Sequence, residues 1–75
     1  MTKEAINERV HAHPFKPFSL RLTDGTLLFV PHPDFIWLSQ GGRTAVVSTG
    51  GENFKIVDMA LVIAIEFNPP SDKTA

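Results

Sequence analysis

The chain reads as a mainly β (α+β) fold: a short N-terminal helix followed by five to six short antiparallel strands in a small barrel or strongly bent sheet. Three observations predict it. Short apolar runs, "FSLRL", "LLFV", "IWL", "AVV", "FKIV" and "LVIAIEF", follow one another between residues 18 and 67. Turn-forming pairs separate several of them, namely Asp24-Gly25, Gly41-Gly42 and Gly50-Gly51. Ahead of these runs, residues 2–12 carry helical spacing and end at Pro14.

The helix is expected over residues 2–12. Thr2 suits the N-cap, and Glu4 suits the positive end of the helix dipole. Ile6 and Val10 share one face at i, i+4 spacing, while Met1 and Ile6 stand at staple positions. A helix this short is marginal alone, so its apolar stripe must dock on the strands.

Strands follow from residue 18. Asp24-Gly25 between two apolar runs is a strong hairpin signal, because a type I′ turn needs positive φ at both central residues. That turn pairs Leu22 with Leu27 and Leu20 with Phe29. Phe18, Leu20, Leu22, Leu27 and Phe29 then form an inner face, with Ser19, Arg21, Leu28 and Val30 outside. Strands near 35–39, 44–48 and 53–57 continue a meander. Loops centred on their Gly-Gly pairs place Ile36 opposite Val47 and then Phe54, and Leu38 opposite Ala45 and then Ile56. Trp37 falls on the opposite face, across from Val46 and then Lys55. Asp58 caps a tight turn, and a last strand at about 61–67 puts Leu61, Ile63, Ile65 and Phe67 on one face and Val62, Ala64 and Glu66 on the other. Residues 1–67 thus make one small domain, with the meander over 18–67, and residues 68–75 are expected to form a flexible C-terminal tail.

Composition narrows the function classes. A chain of 75 residues, 43% hydrophobic and 20% charged, has room for one hydrophobic core. It contains no cysteine, so disulfides, thiolate metal sites and thiol nucleophiles are excluded. The net charge of −1 is spread over dispersed groups, with no basic stripe for nucleic acid. The start "MTKEAINERVHAH" is too polar for a signal peptide, and "MALVIAI" is too short to cross a membrane. A cytoplasmic protein without a membrane partner is expected.

The words "HPFKPFSLRLTDG", "VPHPDFIWLS", "GGRTAVV" and "FKIVDMALVIAIEF", in that order, resemble a family of short uncharacterised bacterial proteins with a "PHPDF" segment. The resemblance spans roughly residues 5–67. It implies a bacterial, cytoplasmic, single-domain protein and carries no catalytic residue with it. The layout of a short helix ahead of small strands is also similar to Sm-like and SH3-like β-barrels, folds that host many functions.

Candidate chemistry is sparse. His11 and His13 in "HAH" sit about 200° apart on a helix, so their rings diverge and a metal would need His32 or Asp34 as well. Polar histidines at a helix end are the simpler reading. His32 and Asp34 form an acid–base pair on paper, yet Pro33 and Asp34 are also turn residues, and Pro31 ends a strand for want of an N–H. The Gly-Gly pairs precede no helix that would cradle a phosphate. No catalytic residue, metal ligand, cofactor or small-molecule site is assigned.

What remains is apolar surface. Leu28, Val30, Trp37, Val46, Val57, Val62 and Ala64 all fall on expected outer faces, more than a small monomer leaves wet. Trp37, Val46, Leu28 and Val30, with His32 beside them, are the candidate partner contacts. Their cover is either the N-terminal helix or another protein chain, which makes a non-enzymatic homo-oligomer or adaptor the leading expectation. The alternative is Sm-like single-stranded nucleic-acid binding, with Trp37, Phe15 or Phe35 stacking on bases and Arg21, Arg43 and Lys55 on phosphates.

Overall fold

Thr2 opens the helix, its Oγ1 accepting the Ala5 N–H at 3.2 Å. In a computed structural model that describes residues 1–67, this helix, α1, runs over Lys3–Val10, with His11 as its C-cap. Six strands follow: β1 (Phe18–Leu22), β2 (Leu27–Val30), β3 (Ile36–Leu38), β4 (Thr44–Gly50), β5 (Asn53–Asp58) and β6 (Val62–Glu66). Short 3-10 turns at Pro33–Phe35 and Met59–Leu61 lead into β3 and β6. The expected C-terminal tail lies outside the described residues.

The strands form two three-stranded antiparallel sheets, ordered β2-β1-β6 and β3-β4-β5, and do not close into a barrel. The interruption falls at the two places where the chain passes between sheets. Pro31 and Pro33 offer no ladder N–H after β2, and the turn at Met59–Leu61 breaks the run between β5 and β6. Both sheets nevertheless supply one core. Phe18, Leu20, Leu28, Val30 and Val62 come from the first sheet and Ile36, Ala45, Val47 and Val57 from the second, closed by Ile6 of α1 and by Met59. Ile6 is fully buried, which answers what the helix docks on.

The first hairpin departs from the expected register by one residue. Phe18 pairs with Val30, Leu20 with Leu28 and Arg21 with Leu27. The loop has three residues, not two: Leu22 N–H donates to Thr26 O and Gly25 N–H to Leu22 O, each at 2.9 Å. A type I′ turn needs positive φ at Asp24, and only Gly25 has it, at +91°. Asp24 instead accepts the Thr26 N–H through Oδ1 at 2.9 Å, a bond that favours its ionised form and holds its carboxyl below the ordinary value. A one-residue slip turns every side chain of β2 over. Leu28 and Val30, expected outside, are therefore buried, and Leu27 and Phe29 lie partly in water.

The same correction applies to β5. The β3–β4 register is as expected, with Ile36 opposite Val47, Trp37 opposite Val46 and Leu38 opposite Ala45. The β4–β5 ladder, however, carries an irregularity between Ser48 and Gly50, so Thr49 is the extra residue. Val46 then faces Ile56 and Ala45 faces Val57, which sends Val57 inward and Phe54 and Ile56 outward. In β6, Val62 is buried and Ile63 exposed, because the β1–β6 ladder also shifts between Arg21 and Leu22 and leaves Ile63 as the extra residue; Leu61 and Phe67, on either side of the strand, are exposed as well.

Candidate protein-contact face

The outer face of the β3-β4-β5 sheet is built by the pleat. Trp37 points away from the core because its neighbour Ile36 points in, and register places Val46 and then Ile56 beside it across the sheet. Phe54, opposite Ser48, follows in the next row of the same face. Trp37 and Phe54 are each 60% exposed and Ile56 68%, the three most exposed large apolar side chains among the described residues. Together they leave roughly 400 Å² of largely apolar surface in water, within the ~300–600 Å² of the largest patch on a typical monomer, a patch that is often functional.

A shallow groove of about 270 Å³ crosses this face. Trp37, Phe54, Phe35 and Ser48 line it together with two acidic residues, Asp34 and Glu52. No lysine, arginine or histidine lines it. The nearest base in sequence, Lys55, lies opposite Val47 on the other side of the pleat, and its charge helps hold the Asp24 carboxyl down. The pattern Phe54-Lys55-Ile56 is thus inverted relative to ordinary patterning, with the apolar residues out and the lysine turned toward the inner face.

The helix flanks Trp37 without covering it. Lys3, Asn7, Val10 and His11 border a second hollow beside the indole. Lys3 is held there by its Nζ donating to Gln40 O at 2.7 Å. Intramolecular cover of Trp37 by α1, one of the two expected possibilities, is therefore corrected by its 60% exposure.

His32 plays a local part. Its Nδ1 accepts the Asp34 N–H at 3.1 Å, capping the 3-10 turn, with Pro33 at the first position of that turn. The Asp34 carboxylate stands 3.7 Å from the same Nδ1, beyond hydrogen-bond reach. The His32 ring centroid lies 6.5 Å from that of Phe15, and His32 does not line the Trp37 groove. Among the described residues, no three of His, Cys, Asp and Glu are grouped so as to hold a metal ion. His11 approaches Asn7 O at 3.1 Å at the end of the helix. No described helix is long and apolar enough to cross a membrane.

No family model, curated protein or solved structure matches this chain. The site therefore stands on its own geometry. Of the sequence-derived contact residues, Trp37 and Val46 share the outer face, whereas Leu28 and Val30 are 4% and 0% exposed and belong to the core. Phe54, Ile56 and Glu52 were not among the expected contacts. What hid Phe54 and Ile56 is the extra residue Thr49: a loop centred on Gly50-Gly51 without it turns both toward the core.

On the first sheet, Arg21 and Glu66 form a two-pronged ion pair, Nε to Oε2 and Nη2 to Oε1, the latter at 3.2 Å. The hydrogen bonds from Arg21 hold the Glu66 carboxyl below its usual value, and Glu66 in turn raises Arg21. Both groups are satisfied by each other, so this pair closes a surface rather than offering one.

Proposed function

We propose that this protein is non-enzymatic and acts through protein–protein contact, as a homo-oligomer or an adaptor in the cytoplasm, using the outer face of the β3-β4-β5 sheet. The observation that carries this reading is the row Trp37–Val46–Ile56 with Phe54 beside it, in which Ile56, Trp37 and Phe54 are the most exposed large apolar side chains among the described residues. Exposing these groups works against a domain of this size, whose stability margin is small. Such a departure from ordinary patterning points to function rather than folding.

Sedimentation combined with tryptophan emission tests it, since Trp37 is the only tryptophan and tyrosine is absent. The reading expects Trp37 to emit as a water-exposed indole in dilute monomer and to shift blue when a partner or a second copy covers it. A strict monomer whose emission is already that of a buried indole overturns it. The alternative Sm-like reading stacks bases on Trp37, Phe15 or Phe35, to which the exposed Phe54 adds a further ring beside Trp37. The acidic residues lining the groove oppose it, and quenching by a single-stranded oligonucleotide at low salt is the result that favours it.

A further inference from the structure

We infer that the groove between Trp37 and Phe54 receives a basic side chain, arginine in preference to lysine, carried on a short segment of a partner protein. This deepens the protein-contact reading and rests on it. Charge supplies the first reason. Asp34 and Glu52 are the charged residues among those lining the groove, and both are acidic; the imidazole beside Asp34, that of His32, stands 3.7 Å from its Oδ2 and does not line the groove. The Asp34 side chain is 89% exposed, and Glu52 is exposed as well, so neither carboxylate is buried in the fold.

Aromatic chemistry supplies the second reason. A cation lying within about 6 Å of an indole or phenyl centroid is attracted by the ring face. A planar guanidinium adds stacking and a fork of donors that matches a carboxylate, which an ammonium lacks. Trp37 and Phe54 offer the rings, and Asp34 and Glu52 the acceptors.

Charge disfavours a second copy of this chain. Two copies apposed through this face would bring four carboxylates together, a like-charge arrangement that costs affinity. Edge pairing is hindered too, because Lys55 points to the inner face of the outer strand β5, a placement that blunts strand addition. A short basic segment meets none of these obstacles.

Tryptophan emission reads the binding directly. The probes are three blocked peptides of alternating serine and arginine, serine and lysine, or serine and glutamate. The arginine peptide is expected to change Trp37 emission saturably, the lysine peptide more weakly and the glutamate peptide not at all. Raising the salt weakens the response. The double variant Asp34→Asn, Glu52→Gln lowers affinity for the arginine peptide about fivefold or more while leaving thermal stability unchanged, because both side chains are exposed. Absence of a saturable change with the arginine peptide, an equal response to the glutamate peptide, or an unaffected double variant overturns the inference. If those results accompany a blue shift that follows rising sedimentation coefficient, the inference falls and the protein-contact reading stands. If only a single-stranded oligonucleotide moves the emission, both fall.

Discussion

Replacing Leu28 by alanine tests the hairpin register on which the placement of every β2 side chain depends. Leu28 is 4% exposed, pairs with Leu20 across β1 and belongs to the common core, whereas its neighbour Leu27 is 37% exposed. Truncating a buried leucine removes the transfer energy of its methyl and methylene groups, at about 0.8 kcal/mol each, and leaves a cavity, for a total of about 3 kcal/mol. Leu27→Ala loses only partly buried surface, for about 1.5 kcal/mol. A small domain holds roughly 5 kcal/mol in all, so Leu28→Ala removes over half of it. At about 4–8 °C per kcal/mol for a domain of this size, the melting temperature falls by roughly 12–24 °C. Urea unfolding followed by circular dichroism gives both values, with the slope m checked for constancy. The type I′ register turns β2 over and reverses the order. Leu27→Ala costing more than Leu28→Ala would refute the three-residue loop and, with it, the inward placement of Val30.

Further outcomes follow from other contacts. Gly42→Ala is expected to destabilise by at least about 1 kcal/mol, because Gly42 has φ +78° and a Cβ there would stand 2.9 Å from Lys3 Cβ; Gly41→Ala, with open space around it, serves as the near-neutral control in the same thermal melt. Glu66 has a folded pKa below its unfolded value, so its pairing with Arg21 stabilises at neutral pH and is lost as pH falls through the folded pKa; Glu66→Gln should flatten the acid limb of the urea midpoint against pH. Ser19 is fully buried with no hydrogen-bond partner for its Oγ among the described residues, so Ser19→Ala is expected to be neutral or stabilising by up to about 1 kcal/mol in urea unfolding. Trp37→Ala should leave the melting temperature within a few degrees of wild type, as a surface truncation does, while removing partner binding in calorimetry.

The elements were legible and several faces were not. Thr2, Pro14, the glycine turns and the apolar runs mark where the helix and strands begin and end, and these depend on local chemistry. Which side of a strand faces the core depends on loop length, and loop length is decided by one dihedral angle or one extra residue. Asp24-Gly25 is compatible with two-residue and three-residue loops alike, and the φ of Asp24 separates them. Thr49 leaves no mark in the sequence as a bulge, yet it turns Phe54 and Ile56 outward. The ambiguity survives patterning because "LLFV" and "VIAI" are apolar on both faces. Trp37 escaped it, since the Ser39–Thr44 loop follows the expected register: Ser39 N–H donates to Thr44 O at 2.8 Å and closes the loop in phase. The acidic lining of the groove was beyond sequence reasoning, because Asp34 and Glu52 come to one groove only after three strands have aligned.

The emission of Trp37 in dilute, demonstrably monomeric protein, measured alone and then with the arginine peptide, tests the central claim most directly. The account predicts the spectrum of a water-exposed indole that shifts or quenches saturably on addition of the peptide. A monomer whose indole already emits as though buried, and whose spectrum no partner changes, would contradict it.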